Sequence, residues 1–226
     1  MHNTFRLSVA ACCAILPWPI RRWGLRTLLG YKIDQGAFVG HALVLCDKVH
    51  LREGGYIGHF TVIKNLESLE MGERAAIGQF NWISGYKKSA KDPSFYDEPD
   101  RRSTLVMENF AVITNRHIID CTNSVSLGCY STFAGYNSQI ITHGIDVSTS
   151  RQRSAPVVIG AYCLVGTRCL LLNGTQLPDY CLLGAGSVLT KAYKETYSLY
   201  AGSPAKKIKN LDPECLYFHR KTGFVV

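Results

Sequence analysis

From residue 33 onward, aliphatic side chains return at every sixth position: Ile33, Val39, Leu45, Leu51, Ile57 and Ile63. After a two-residue slip the series resumes at Met71, Ile77 and Ile83, and a further stretch runs Val106, Val112, Ile118. A three-residue slip then leads to Leu127, Phe133 and Gln139, and the last run is Ile159, Val165, Leu171, Leu177, Leu183 and Leu189. Grouped in threes, these are seven triplets, and of their 21 positions 20 are apolar, with Gln139 as the exception. The next residue is often glycine, as at Gly40, Gly58, Gly78, Gly160 and Gly184. Three residues further on the side chain is often small, as at Ala37, Thr61, Ser131 and Cys181.

Neither a helical period nor strict alternation explains a six-residue repeat sustained this far. Each unit is a short strand plus a corner, where glycine turns without a Cβ penalty. Three units close one triangular coil with the aliphatic side chain inside. Coils pair their backbones at about 4.8 Å, so seven make a prism roughly 34 Å long. The pattern therefore predicts an all-β chain, a parallel β-helix of about seven coils over 33–191. A helical segment over 1–32 precedes it. A tail over 192–226 follows, in which Asp212-Pro213 reads as the start of a short helix.

Within the first segment, Arg6 precedes an apolar run from Leu7 to Leu16 that ends at Pro17-Trp18-Pro19. That run is too short to span a bilayer and lacks a cleavage signature. Ile20 to Leu29 reads as a basic amphipathic helix that caps the prism, with peripheral membrane contact through Trp18, Trp23 and the arginines as the sharper reading. The formal charge of +8 suits an anionic partner. No zinc-finger or RNA-binding signature accompanies it, which argues against nucleic acid. Nine cysteines with no C-x-x-C pair argue against a disulfide framework or a structural zinc, and point to a reducing, cytoplasmic setting.

Two interruptions of the repeat are large. The first, about 86–104, is polar and rich in Lys, Asp, Pro and Arg. The second begins at His143-Gly144-Ile145-Asp146 and runs to about residue 158. Just before it, Gln139 breaks the aliphatic rule, while Asn137 and His143 stand where a small residue is expected. Function tends to sit where a scaffold pattern is interrupted.

The stretch Ile159-Gly160, Val165-Gly166, Leu183-Gly184-Ala185-Gly186-Ser187-Val188, Thr190-Lys191 resembles the terminal coils of hexapeptide-repeat acyltransferases, and Ala201-Gly202-Ser203-Pro204-Ala205-Lys206-Lys207-Ile208 resembles the motif that follows them. The likeness extends over roughly residues 30 to 208. It implies a left-handed solenoid and a homotrimer with active sites between subunits. The implied activity is acyl transfer from acetyl-CoA or another acyl-CoA, without a metal, to a hydroxyl or amine of a sugar or polysaccharide precursor. Thr142-His143 matches the catalytic segment of sugar and xenobiotic acetyltransferases in this superfamily, which makes His143 the general base.

Chemistry agrees with that match, since neutral imidazole suits removal of a proton from the attacking acceptor. Asp146 is a candidate to orient it, and His117, Arg116 and Asn137 are candidates to line the acceptor pocket. By the same resemblance, Gly166, Ala185, Thr190 and Lys191 line the coenzyme A groove, and Lys206 lies where it meets phosphate. Two other readings stay open: a non-catalytic solenoid acting as a binding module, and a γ-class carbonic anhydrase, whose paired histidines at short spacing this sequence lacks.

Overall fold

The computed structural model describes residues 2–88, 94–95, 97–223 and 225. Short parallel strands stack coil upon coil, and their register resolves the interior into three columns. The first face contributes Ile33, Leu51, Met71, Met107, Leu127, Ile159 and Leu177. The second contributes Val39, Ile57, Ile77, Ile113, Phe133, Val165 and Leu183. The third contributes Val44, Ile63, Ile83, Ile119, Ile140, Leu171 and Leu189. All of them are at most 3% exposed. Each aliphatic burial of this kind stabilises the fold by about 1.5–3 kcal/mol, which offsets the ordering of many short strands.

Seven coils are present, with five expected interior positions each displaced by one residue. Val44 points inward in place of Leu45, and Met107, Ile113 and Ile119 in place of Val106, Val112 and Ile118. Ile140 is buried while Gln139 is exposed, so all the described interior positions of the three columns are apolar. At the first four the cause is that two apolar residues adjoin, and only the pairing with neighbouring coils decides which one faces in. With that correction Ser138, fully buried, fills the small-residue slot, and Asn137 moves to an exposed corner with φ 59°.

At the start of the prism, helix α1 (His2–Ile15) and helix α2 (Trp18–Thr27) fold against each other and against the first coil. Pro17 occupies the N-cap of α2 and Pro19 its first turn, where a missing N–H costs nothing. Ala10, Cys13, Leu25 and Leu29 close the open end of the core. No described helix is long and apolar enough to cross a membrane.

At the other end the tail is more strand than helix. Ser198–Gly202 adds to the second face, with Tyr200 over Leu183, and Ala205–Asn210 folds back on it antiparallel. The expected helix is a single 3-10 turn, Leu216–His219, and Asp212 caps the turn before it by accepting from the Glu214 amide. Phe218 packs edge-on against Tyr180 and Tyr197.

Candidate active site

Both interruptions leave the prism from one edge, where the chain passes from the third face of a coil to the first face of the next. The strand Trp82–Gly85 leads into the first insertion, and Ser103 returns from it so close that a Cβ on Gly85 would overlap the Ser103 Oγ, at 1.9 Å. The second insertion is an antiparallel hairpin of His143–Asp146 with Arg151–Ser154, in which His143 pairs with Ser154. Because the hairpin rises two coils beyond the first insertion, the two lie side by side. Arg153 donates to Asp97, the Ser154 hydroxyl donates to Glu98, and the Ser154 amide donates to the other Glu98 oxygen at 2.8 Å.

His143 sits at the base of that hairpin. One coil below, the strand Ile118–Cys121 places Asp120 directly after interior Ile119, so its carboxylate faces upward at the same edge. The imidazole Nδ1–H donates to Asp120 Oδ2 at 2.7 Å. The same oxygen accepts the Thr142 amide and hydroxyl, each at 2.8 Å, while Oδ1 accepts the Thr122 amide at 3.0 Å and hydroxyl at 2.6 Å. Burial by itself would raise the carboxyl pKa, but the donors from His143, Thr122 and Thr142 outweigh it and hold Asp120 down at about 2. In return the bond to Asp120 pushes the His143 pKa above its ordinary value, against burial and the Arg101 charge.

With Nδ1–H committed to Asp120, Nε2 of neutral His143 carries the free lone pair. No partner meets it among the described residues, and the side chain is 41% exposed. It borders a cavity of about 380 Å³ walled by Ser84, Tyr86, Phe95, Thr122 and Gln152. The Phe95 ring meets the imidazole edge-on at 6.3 Å. Arg101, only 4% exposed, lies 4.6 Å from the Phe95 ring centre and donates to the Tyr86 and Thr122 carbonyls, which fastens the foot of the insertion to the prism. Gln152 Oε1 is buried at this cavity with no donor among the described residues. A buried acceptor left so costs free energy until a donor meets it.

The other expected residues are dispersed. Asp146 does not touch His143; it accepts from the Ser148 amide and hydroxyl and shapes the hairpin tip. His117 fills a small-residue slot and is 1% exposed. Its Nδ1 accepts the Ser138 amide at 3.1 Å, its Nε2 pairs with the Thr114 hydroxyl at 2.9 Å, and its ring stands edge-on to Phe133. Burial lowers its pKa to about 4, against bonds from the Ser138 and Gly135 backbone that raise it. That makes it a neutral core residue, away from the cavity. Arg116 and Asn137 are exposed at the neighbouring edge, with Arg116 over the Phe80 ring. The corner position forces both into positive φ.

Among the residues expected near coenzyme A, Thr190 and Lys191 follow Leu189 at the insertion edge, two coils beyond Ile140. Gly166 and Ala185 stack at the neighbouring edge. A Cβ on Gly166 would come within 2.7 Å of the Ala185 nitrogen, so close coil stacking alone accounts for the glycine. Lys206 is exposed on the returning strand opposite Ala201. No described group of three or more His, Cys, Asp or Glu side chains could hold a metal ion.

Asp120 and Gln152 escaped the sequence reading. A signal for Asp120 exists, as an acid inside the apolar strand Ile118-Ile119-Asp120-Cys121. For Gln152, in a polar hairpin, no comparable signal exists.

No protein-family model matches the chain. A probable acetyltransferase of Mycobacterium tuberculosis is 26% identical over 202 residues, which are 89% of this chain and 61% of that protein. The chain thus spans about three-fifths of the length of that curated relative. Among solved structures, a hexapeptide-repeat acetyltransferase of Vibrio cholerae complexed with acetyl coenzyme A superposes with TM-score 0.50 at 12% identity, covering 93% of this chain and 87% of that one. An N-acyltransferase of Bacillus cereus, in complex with dTDP-4-amino-4,6-dideoxyglucose and coenzyme A, gives TM-score 0.54 at 13% identity, with 88% and 93% covered. The chain has the left-handed parallel β-helix fold of the hexapeptide-repeat acetyltransferases.

Proposed function

We propose that the chain is an acyl-CoA-dependent acyltransferase acting on a hydroxyl or amine of a sugar or polysaccharide precursor, with His143 as general base. The observation that carries this reading is the His143 imidazole, held through Nδ1–H by Asp120 with Nε2 free beside a cavity. Nε2 takes the proton of the acceptor as its oxygen or nitrogen attacks the thioester carbonyl, and the Asp120 carboxylate stabilises the imidazolium that forms. The proton then passes to the departing thiolate. Gln152 Oε1 accepts from a second donor on the acceptor, which turns the attacking atom toward Nε2.

Support for the donor comes from the relatives, one solved with acetyl coenzyme A and another with coenzyme A beside a nucleotide-linked amino sugar. Within this chain, Lys191 at the insertion edge lies about 10 Å along the prism from His143, two coil spacings, and suits a phosphate of the donor. Trp82 and Ile118, paired across adjacent coils and 45% and 47% exposed, suit burial against a second copy in a homotrimer.

The test is thiol release from acetyl-CoA by the purified chain over a panel of sugars and nucleotide sugars. His143→Ala should lower turnover by about 10²–10⁴-fold while acetyl-CoA binding persists. Full transfer by that variant would remove the assignment, and a wild-type chain that never consumes acyl-CoA would favour a binding module.

A further inference from the structure

We infer that the α1–α2 hairpin is a docking surface for an anionic lipid bilayer, on which the prism stands by its N-terminal end. Among the described residues, six large apolar side chains are exposed on this hairpin and the residues bordering it: Phe5, Leu7, Ile15, Ile20, Trp23 and Leu28, between 45% and 78%. They are not scattered. Phe5, Ile20, Trp23 and Leu28 border one cleft of about 230 Å³ between the helices, floored by Val9 and Leu16. Contiguous exposed apolar surface of this kind needs a partner.

Charge identifies the partner. Residues 1–33 contain Arg6, Arg21, Arg22, Arg26 and Lys32 and no acid; the first is Asp34. Five of the eight net positive charges therefore belong to the segment that carries the apolar patch. Arg6, Arg21 and Arg22 turn inward onto the carbonyls of Cys46, Ala14 and Ile33, whereas Arg26 and Lys32 face solvent. Trp23 is 60% exposed, while Trp18 packs against Phe38 at 5.0 Å and takes no part. An exposed indole among aliphatic side chains, on a segment with two solvent-facing cations and no acid of its own, matches the headgroup boundary of an anionic membrane. At 14 and 10 residues the helices are too short to span it, so they lie in its surface. Two copies packed through this patch would bring together the Arg26 and Lys32 of each, with no acid in either copy's residues 1–33 to pair them.

The experiment is co-sedimentation of the full chain with phosphatidylcholine vesicles and with vesicles containing phosphatidylglycerol. Binding is expected to the anionic vesicles, weakened in high salt. Ile20→Ser/Trp23→Ser should reduce partitioning by about tenfold or more, as should Arg26→Glu/Lys32→Glu. Both variants alter exposed side chains, and circular dichroism and acyl transfer should match the wild type. Absence of wild-type binding, or equal binding by both variants, would overturn the inference. So would a fall in oligomeric mass on Ile20→Ser/Trp23→Ser, which would identify a second copy as the occupant.

Discussion

Replacing Asp120 by Asn tests the electrostatic core of the site. The carboxylate accepts five hydrogen bonds, and its pKa falls from 3.8 to about 2 on folding. A difference close to two pH units corresponds to about 2 kcal/mol of folding free energy. With the side chain only 13% exposed, solvent screening removes little of it. A depressed acid contributes its stability above the unfolded value of 3.8 and loses it as pH falls toward 2. His143, whose pKa is raised, contributes in the opposite sense: fully below 6.5, and decreasingly as pH climbs through its folded value. Both describe one contact, so they are not added. Urea unfolding should therefore show Asp120→Asn less stable by about 2 kcal/mol near neutrality, with the gap closing near pH 2. In parallel, the His143 ring resonance should titrate at lower pH in the variant, and the acid limb of any transfer activity should move with it. An equal loss at both pH values, or an unchanged His143 titration, would show that the carboxylate charge does not hold the imidazole.

Three further outcomes follow from the same geometry. His117→Ala should leave the Ser138 amide without its acceptor and a cavity beside Phe133, lowering stability by about 2–4 kcal/mol with His143 titration unchanged. Because the wild-type His117 pKa is depressed to about 4, its contribution should decline as pH falls below 6.5 toward 4, a change in the pH dependence of unfolding that His117→Ala should abolish. Gly166→Val should lower the melting temperature by forcing two coils apart, since even the Cβ meets the Ala185 nitrogen at 2.7 Å. Glu98→Gln keeps a donor-accepting oxygen for the Ser154 amide, whereas Glu98→Ala removes both bonds to Ser154, the residue opposite His143. The second should cut kcat about tenfold or more in steady-state kinetics, and the first much less.

How far the sequence reaches is clearest at particular residues. Where a single aliphatic residue stands at the six-residue position, as at Ile33, Leu127 and Leu177, its inward orientation is legible from spacing. Where two adjoin, as at Val106-Met107 or Ile118-Ile119, composition does not distinguish them. Gln139 looked like a defect marking a site only because Ile140 beside it was the interior residue. His143 was found through the break in the repeat and a family motif. Its partner could not be found that way, because Asp120 is 23 positions away and the segment between them carries no sign of contact.

What the sequence alone determines is the solenoid: a hydrophobic period of six admits no other way to bury those side chains, and this depends only on local spacing. What the tertiary structure decides is which residues share an edge. One turn of the coil, 21 residues from Ile119 to Ile140, brings Asp120 beneath His143. The stacking of two insertions from the same edge brings Phe95 and Glu98 against the hairpin. Both depend on register between coils, set by backbone pairing and close packing summed over the whole prism, and no local pattern encodes it.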